Sequence, residues 1–155
     1  MRDSSRSNFE RNLAVFIGIN NYQNGIYKLS TAVNDATALA DTLETEYQYQ
    51  EVIRLFPPHG EAAVKNLKEL LSETLPNQVK PTEGDRLIFY FAGHGIAHNS
   101  EDGPAGYFIT QDAPLGKLEA FLPMRDLNTA LSQLECHHLL GMLYCSYAGK
   151  FSLVK

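Results

Sequence analysis

Two apolar runs without alternation constrain this chain more than any other feature. Leu13-Ala-Val-Phe-Ile-Gly-Ile19 and Leu87-Ile-Phe-Tyr-Phe91 are short, continuous and bounded by turn formers. Asn20, Asn21, Asn24 and Gly25 follow the first; Ala92-Gly-His-Gly95 ends the second. A strand apolar at successive residues buries both faces, the pattern of the inner strands of a parallel sheet. Val52-Ile-Arg-Leu-Phe56, stopped by Pro57-Pro58, and Leu139-Leu-Gly-Met-Leu143 are two further strand candidates.

Helical spacing fills the gaps. Ala32, Ala36, Leu39, Ala40 and Leu43 recur on one face, with Ser30 or Thr31 in position to cap the start. Asn34 and Asp35 fall in the first turn, where a carboxylate suits the helix dipole. Ala63, Val64, Leu67, Leu70, Leu71 and Leu75 form a second stripe, with Glu61 and Lys65 paired on its surface and Pro76 as its expected end. Asn99 to Gly106 reads as a loop and Tyr107-Phe-Ile109 as a short hairpin arm. Pro123 fits the first turn of a third helix that points Met124, Leu127, Leu131 and Leu134 inward. The order β-α-β-α-β-hairpin-α-β predicts an α/β fold of three layers, α/β/α, around a mainly parallel sheet. One domain over residues 13–155 follows a flexible tail over 1–12.

Composition narrows the function. The 155 residues are 44% hydrophobic and 20% charged, which suits one globular domain. A net charge of -5 gives no basic footprint for nucleic acid. No apolar run reaches the length of a membrane span, and Met1 to Asn12 is too polar for a secretory signal. Two cysteines, Cys136 and Cys145, make no disulfide framework, so a cytoplasmic location is expected. No Cys/His pattern has zinc spacing, and no cofactor is expected. His137 and His138 read as surface residues ahead of the last strand.

Ligands of open parallel sheets sit beyond the carboxyl ends of the strands. Two such ends here carry reactive side chains. One delivers His94 between Gly93 and Gly95, and the other delivers Cys145 and Ser146 ahead of Ala148-Gly149. A histidine and a nucleophile on neighbouring strand ends fit the distance requirement of a dyad. The N–H groups of Gly95 and of the nucleophile residue suit an oxyanion hole. Phosphate-binding glycine motifs are absent, and the Ser146 surroundings do not match G-x-S-x-G.

Five ordered motifs carry a resemblance: Phe16-Ile-Gly-Ile-Asn20, Val33-Asn-Asp-Ala36, Phe89-Tyr-Phe-Ala-Gly-His-Gly95, Asp102-Gly-Pro-Ala-Gly-Tyr107 and Leu143-Tyr-Cys-Ser-Tyr-Ala-Gly149. Together they resemble the caspase-like (C14) peptidases, closest to the metacaspase-type bacterial members called orthocaspases. The likeness runs from Leu13 to Phe151. It implies the caspase-like fold and a polypeptide substrate or partner. It makes His94 the catalytic histidine and puts Ser146 where the family has its nucleophilic cysteine. Cys145 matches the non-catalytic middle residue of that triplet. The resemblance also maps the S1 pocket for Arg or Lys onto Asp35 and Tyr144, where Tyr144 replaces an acid. Calcium-binding acids are assigned to none of these residues.

The departures set the functional expectation. A thiol ionises near pH ~8.5, whereas a serine hydroxyl must lose its proton during attack. Ser146 therefore predicts an inactive or weakened pseudo-peptidase. The alternatives are an active cysteine endopeptidase cutting after Arg or Lys, present here in inactivated or truncated form, and a serine peptidase using Ser146 with His94. The family's domain continues past the nucleophile, so the resemblance further implies a missing p10-like C-terminal part, or a second subunit in its place. The strand at Leu139–Leu143 would then be an uncovered edge.

Overall fold

Strand β1 (Asn12–Gly18) is buried at all 7 positions, as its unbroken apolar run requires. It runs parallel between β2 (Glu51–Leu55) and β3 (Arg86–Gly93), and β7 (His138–Cys145) pairs parallel with the far side of β3. The sheet order is β2-β1-β3-β7. The computed structural model describes residues 8–114, 117 and 120–145.

Alternation along the strands divides the core into two layers. Ala14, Phe16, Tyr90 and Ala92 face helix α1 (Ala32–Glu46), which lays Ala32, Ala36 and Ala40 on them. Leu13, Val15, Ile17, Leu87, Phe89 and Phe91 face the other way, onto Leu67, Leu70 and Leu75 and onto Met124, Leu127 and Leu131. Those residues belong to α2 (Val64–Glu69) with its continuation, and to α3 (Met124–Ser132). Full burial of a large apolar side chain stabilises by about 1.5–3 kcal/mol, so the two layers hold the sheet from both sides. Small residues set the closeness of α1. A Cβ on Gly18 would stand 3.1 Å from the Ala32 carbonyl oxygen and 3.2 Å from the Ala36 Cβ. The three-layer α/β/α architecture is the expected one.

Four local expectations are corrected. Neither Ser30 nor Thr31 caps α1 through its side chain; the Val33 N–H donates instead to Asn20 Oδ1, 3.2 Å away, from the end of β1. Pro76 does not end the second helix. The chain widens into a π-helix over Leu70–Val79 with Pro76 inside it, and Lys80 at φ 49° closes it. The wider turn tolerates a residue that has no N–H to give and whose ring would crowd a regular helix. The segment read as a loop is a hairpin, β4 (Gly95–Ser100) against β5 (Gly103–Phe108), which β6 (Leu122–Pro123) extends into a second sheet. Its turn is Glu101-Asp102, with Gly103 at φ 102°, a conformation that glycine adopts without strain. Finally, structure reaches back to Phe9: the Glu10 N–H bonds the Gly84 carbonyl, and the Phe9 ring packs edge-on to His138.

The amino end of the sheet is pinned by a charge. Asp85 is 1% exposed and accepts hydrogen bonds from Arg11 Nη2 at 2.8 Å and from the Thr82 N–H at 2.9 Å. Burial works against ionisation here. The bonds from Arg11 and Thr82 outweigh it and hold the carboxyl below its ordinary range. A carboxylate held low in the folded state stabilises fully above its unfolded pKa of about 4, and that contribution is lost as pH falls through the folded value. Urea unfolding should therefore show the parent losing stability below about pH 4, and Asp85→Asn should start lower at neutral pH and change less. Arg11→Ala should cost about 2–3 kcal/mol at pH 7, because it strands a buried carboxylate beside a partly exposed partner.

Gly18→Ala should cost about 1–3 kcal/mol by pushing α1 off the sheet. Gly141→Ala is the control: nothing lies within 4 Å of the Cβ it would gain. Its thermal midpoint should stay near the parent's.

Candidate active site

The carboxyl ends of β3 and β7 lie side by side, with Gly93 opposite Cys145 in the register. His94 follows Gly93 at the point where the chain leaves the parallel sheet for the β4–β5 hairpin, and the Ile109 N–H bonds its carbonyl at 3.0 Å. The residue is 2% exposed. Two tyrosines from the loop between β1 and α1 hold it. The His94 N–H donates to Tyr22 Oη at 2.7 Å, and the Tyr22 and Tyr27 rings lie 4.9 and 4.7 Å from the imidazole.

The ring's second bond decides its tautomer. His94 Nε2 lies 2.9 Å from the Tyr27 carbonyl oxygen. A carbonyl only accepts, so Nε2 carries the hydrogen, and in the neutral imidazole Nδ1 is the basic nitrogen. That is the arrangement in which a histidine takes a proton from a neighbouring group. Burial pushes the Tyr22 phenol well above its ordinary value, so it stays a neutral acceptor for the His94 N–H.

The glycines around His94 leave room for atoms of the protein itself. A Cβ on Gly93 would meet Tyr22 Oη at 2.9 Å, and one on Gly95 would meet Cys145 Sγ at 3.0 Å. Cys145 packs against the same apolar cluster as Leu139 and Leu143, on the side of α2 and α3. Burial pushes its thiol up to about 11. Cys136 is buried, donates from Sγ to the Asp85 carbonyl at 3.3 Å, and is raised by burial as well. Ser146 and its N–H, the expected nucleophile position and half of the expected oxyanion hole, lie outside the described residues.

Asp35 and Tyr144 do come to one place. Asp35 is exposed in the first turn of α1, which sits over the end of β1. Tyr144 is paired with Ala92, on the same face of the sheet as Tyr90, and is 64% exposed. Tyr90, buried beneath α1, links them: its phenol is raised first by burial, then by the nearby Asp35 carboxylate and by Tyr144. An acid and two phenols thus collect at the carboxyl edge of the sheet, with His94 on the same edge. Beside this edge a cleft of about 420 Å³ opens at the end of β1, lined by Asn20, Asn21, Tyr22, Gln23 and Gln111 among others.

Sequence reasoning missed Tyr22, the Tyr27 carbonyl and Tyr90. Tyr22 and Tyr27 sit in a turn-rich stretch with no periodicity, and a main-chain acceptor leaves no mark on a sequence. Tyr90 was legible as a strand residue but not as the neighbour of Asp35. Among the described residues, no group of three or more His, Cys, Asp or Glu side chains is placed to hold a metal ion. No helix there is long and apolar enough to cross a membrane.

The chain was compared with known proteins. Protein GSU0716 from Geobacter sulfurreducens shares the fold, with a TM-score of 0.62 at 17% identity over 86% of this chain. The match spans 48% of that protein, so this chain corresponds to about half of its length. No curated protein sequence matches. A family profile, described as the caspase domain of the C14 peptidases, matches residues 11–143. A match over most of the length, on a parallel α/β/α sheet with a histidine at the end of β3, makes this chain a member of the caspase-domain family.

Proposed function

We propose that this chain is a caspase-domain pseudo-peptidase of the metacaspase type, which binds a polypeptide at the carboxyl edge of its sheet and cleaves it weakly or not at all. One observation carries the reading. The sequence has two cysteines, and neither is poised as a thiolate: Cys136 is buried beside Asp85, and burial holds the Cys145 thiol at about 11. The family's nucleophile position holds Ser146. His94 is set up as a base through Nδ1, but a hydroxyl far above neutral pKa gives up its proton much less readily than a thiol does. Loss of a nucleophile costs on the order of 10⁴–10⁶ in rate.

Recognition is less damaged than chemistry in this reading. Asp35 supplies the carboxylate for a basic side chain, and Tyr144 adds a phenol where the family has a second acid. His94, Gly95 and Ser146 form the remnant of the catalytic edge. A further polypeptide segment of the p10 kind, in the same chain or a second subunit, would wall the cleft beside β7. The two free thiols suit a reducing, cytoplasmic setting.

Peptides with Arg or Lys at the cleavage position should show no turnover above background. Hydrolysis that disappears in His94→Ala would overturn the proposal and favour a serine peptidase. Ser146→Cys should restore labelling by a thiol-directed Arg-peptide reagent, with the labelled residue identified as 146 by mass spectrometry.

Binding should separate from catalysis. Asp35→Asn should weaken a basic peptide, measured by calorimetry, by roughly tenfold, the worth of one charge-assisted contact. Tyr144→Asp should strengthen it and lower the thermal midpoint of the free protein, because two carboxylates then share the pocket without a counter-charge.

A further inference from the structure

The cleft at the end of β1 is walled by three separate parts of the chain. The loop after β1 gives it Asn20, Tyr22 and Gln23, the turn after β2 gives it Pro57 and Glu61, and the segment after β5 gives it Gln111. Gln111 ties the walls together. Its carbonyl accepts the Gln23 N–H at 3.0 Å, its N–H donates to the Ala62 carbonyl at 3.0 Å, and its Oε1 accepts the Ala62 N–H at 3.3 Å. Two residues earlier, the Ile109 N–H bonds the His94 carbonyl. One short segment therefore fixes both the cleft and His94. Tyr22 belongs to both as well: its ring lies 4.9 Å from the imidazole and also lines the cleft.

Glu61 gives the cleft its charge. Helical spacing pairs it with Lys65, but α2 starts only at Val64. Glu61 precedes the helix and is exposed, with no ion-pair partner among the described residues. The other lining side chains are amides, a phenol and apolar groups.

Position along the sheet decides what this cleft can hold. In acyl transfer the histidine takes the nucleophile's proton and passes it to the leaving amine. The nucleophile position follows β7 and His94 follows β3, so the leaving side lies beyond His94, toward β1 and β2. The cleft occupies that side. Asp35 is turned away from it: Val33 lines the cleft, and a residue two further along a helix points roughly 200° away.

We infer that this cleft receives the residues that follow the basic anchor of a bound polypeptide, and that Glu61 selects a basic side chain there. This rests on the reading of the carboxyl edge as a polypeptide site and adds a second specificity determinant to it. Adjacent strands are ~4.8 Å apart, so the ends of β1 and β2 lie about 5–10 Å from that of β3. An extended peptide advances ~3.3 Å per residue, which brings the second and third residues after the anchor to Glu61.

Three peptides with one Arg anchor test this by calorimetry at physiological salt, where screening beyond ~8 Å damps general attraction to the net charge of -5. The first carries Lys at the second and third positions after the anchor, the second carries Glu there, and the third carries Lys at the third and fourth positions before it. The parent should bind the first at least fivefold more tightly than the second. Glu61→Gln should weaken the first peptide by roughly two- to fivefold, the worth of an exposed ion pair, and leave the third unchanged. Glu61→Lys should reverse the preference between the first and second at an unchanged melting temperature. Asp35→Asn, weakening all three, reports on the anchor separately. A preference for the first peptide that survives Glu61→Lys overturns the inference, as does an equal loss for the third peptide in Glu61→Gln. Either result, with the Asp35 dependence intact, leaves the anchor reading standing. No binding of any peptide overturns that reading and this inference with it.

Discussion

Burial of β1 on every side organises the molecule. Seven consecutive positions admit no water, so the strand needs neighbours on both edges and a layer on both faces. β2 and β3 supply the edges, and α1 and the α2–α3 layer supply the faces. Once that is satisfied, the carboxyl ends of β1, β3 and β7 fall along one line. Gly18 stands opposite Ala92, and Gly93 opposite Cys145. The first turn of α1 with Asp35, the turn with His94 and the end of β7 at Cys145 are therefore brought together by sheet register, although they come from three distant parts of the chain.

What could be read in advance was what periodicity records. The apolar runs at Leu13–Ile19 and Leu87–Phe91 gave two inner strands, and the spacing of Ala32, Ala36 and Ala40 gave the face of α1. What could not be read was mostly long-range polar chemistry. The α1 cap comes from Asn20, 13 residues before Val33, and the Val64 N–H at the start of α2 finds Asp112 Oδ1, 48 residues on. Local capping rules look three residues ahead and see neither. Pro76 was over-read for a related reason: the rule assumes regular helix geometry, and the chain left that geometry at Leu70. The hairpin was under-read because Gly, Pro and Ala dominate β5, although Asp102-Gly103 is a strong turn signal.

The site divides along the same line. His94, Gly95, Asp35 and Tyr144 were visible as motif residues, and sheet register explains why they share an edge. The environment of His94 was not visible. Its two aromatic walls come from Tyr22 and Tyr27, in a loop whose only sequence signature is asparagine and glycine. The same environment accounts for the two glycines beside His94. Each leaves room for an atom of the protein itself, Tyr22 Oη at one and Cys145 Sγ at the other.

The acceptor for His94 Nε2 has an evolutionary consequence. A main-chain carbonyl is encoded by no particular residue, so substitution at position 27 leaves the acceptor in the chain. The nucleophile, by contrast, is one atom of one side chain, and a single exchange deletes it. A lineage released from selection for cleavage would therefore lose the two halves of the dyad at different rates. The imidazole's alignment would outlast its partner for as long as the loop keeps its path. A well-oriented histidine in a relative of this kind is a record of fold integrity and a poor indicator of surviving catalysis.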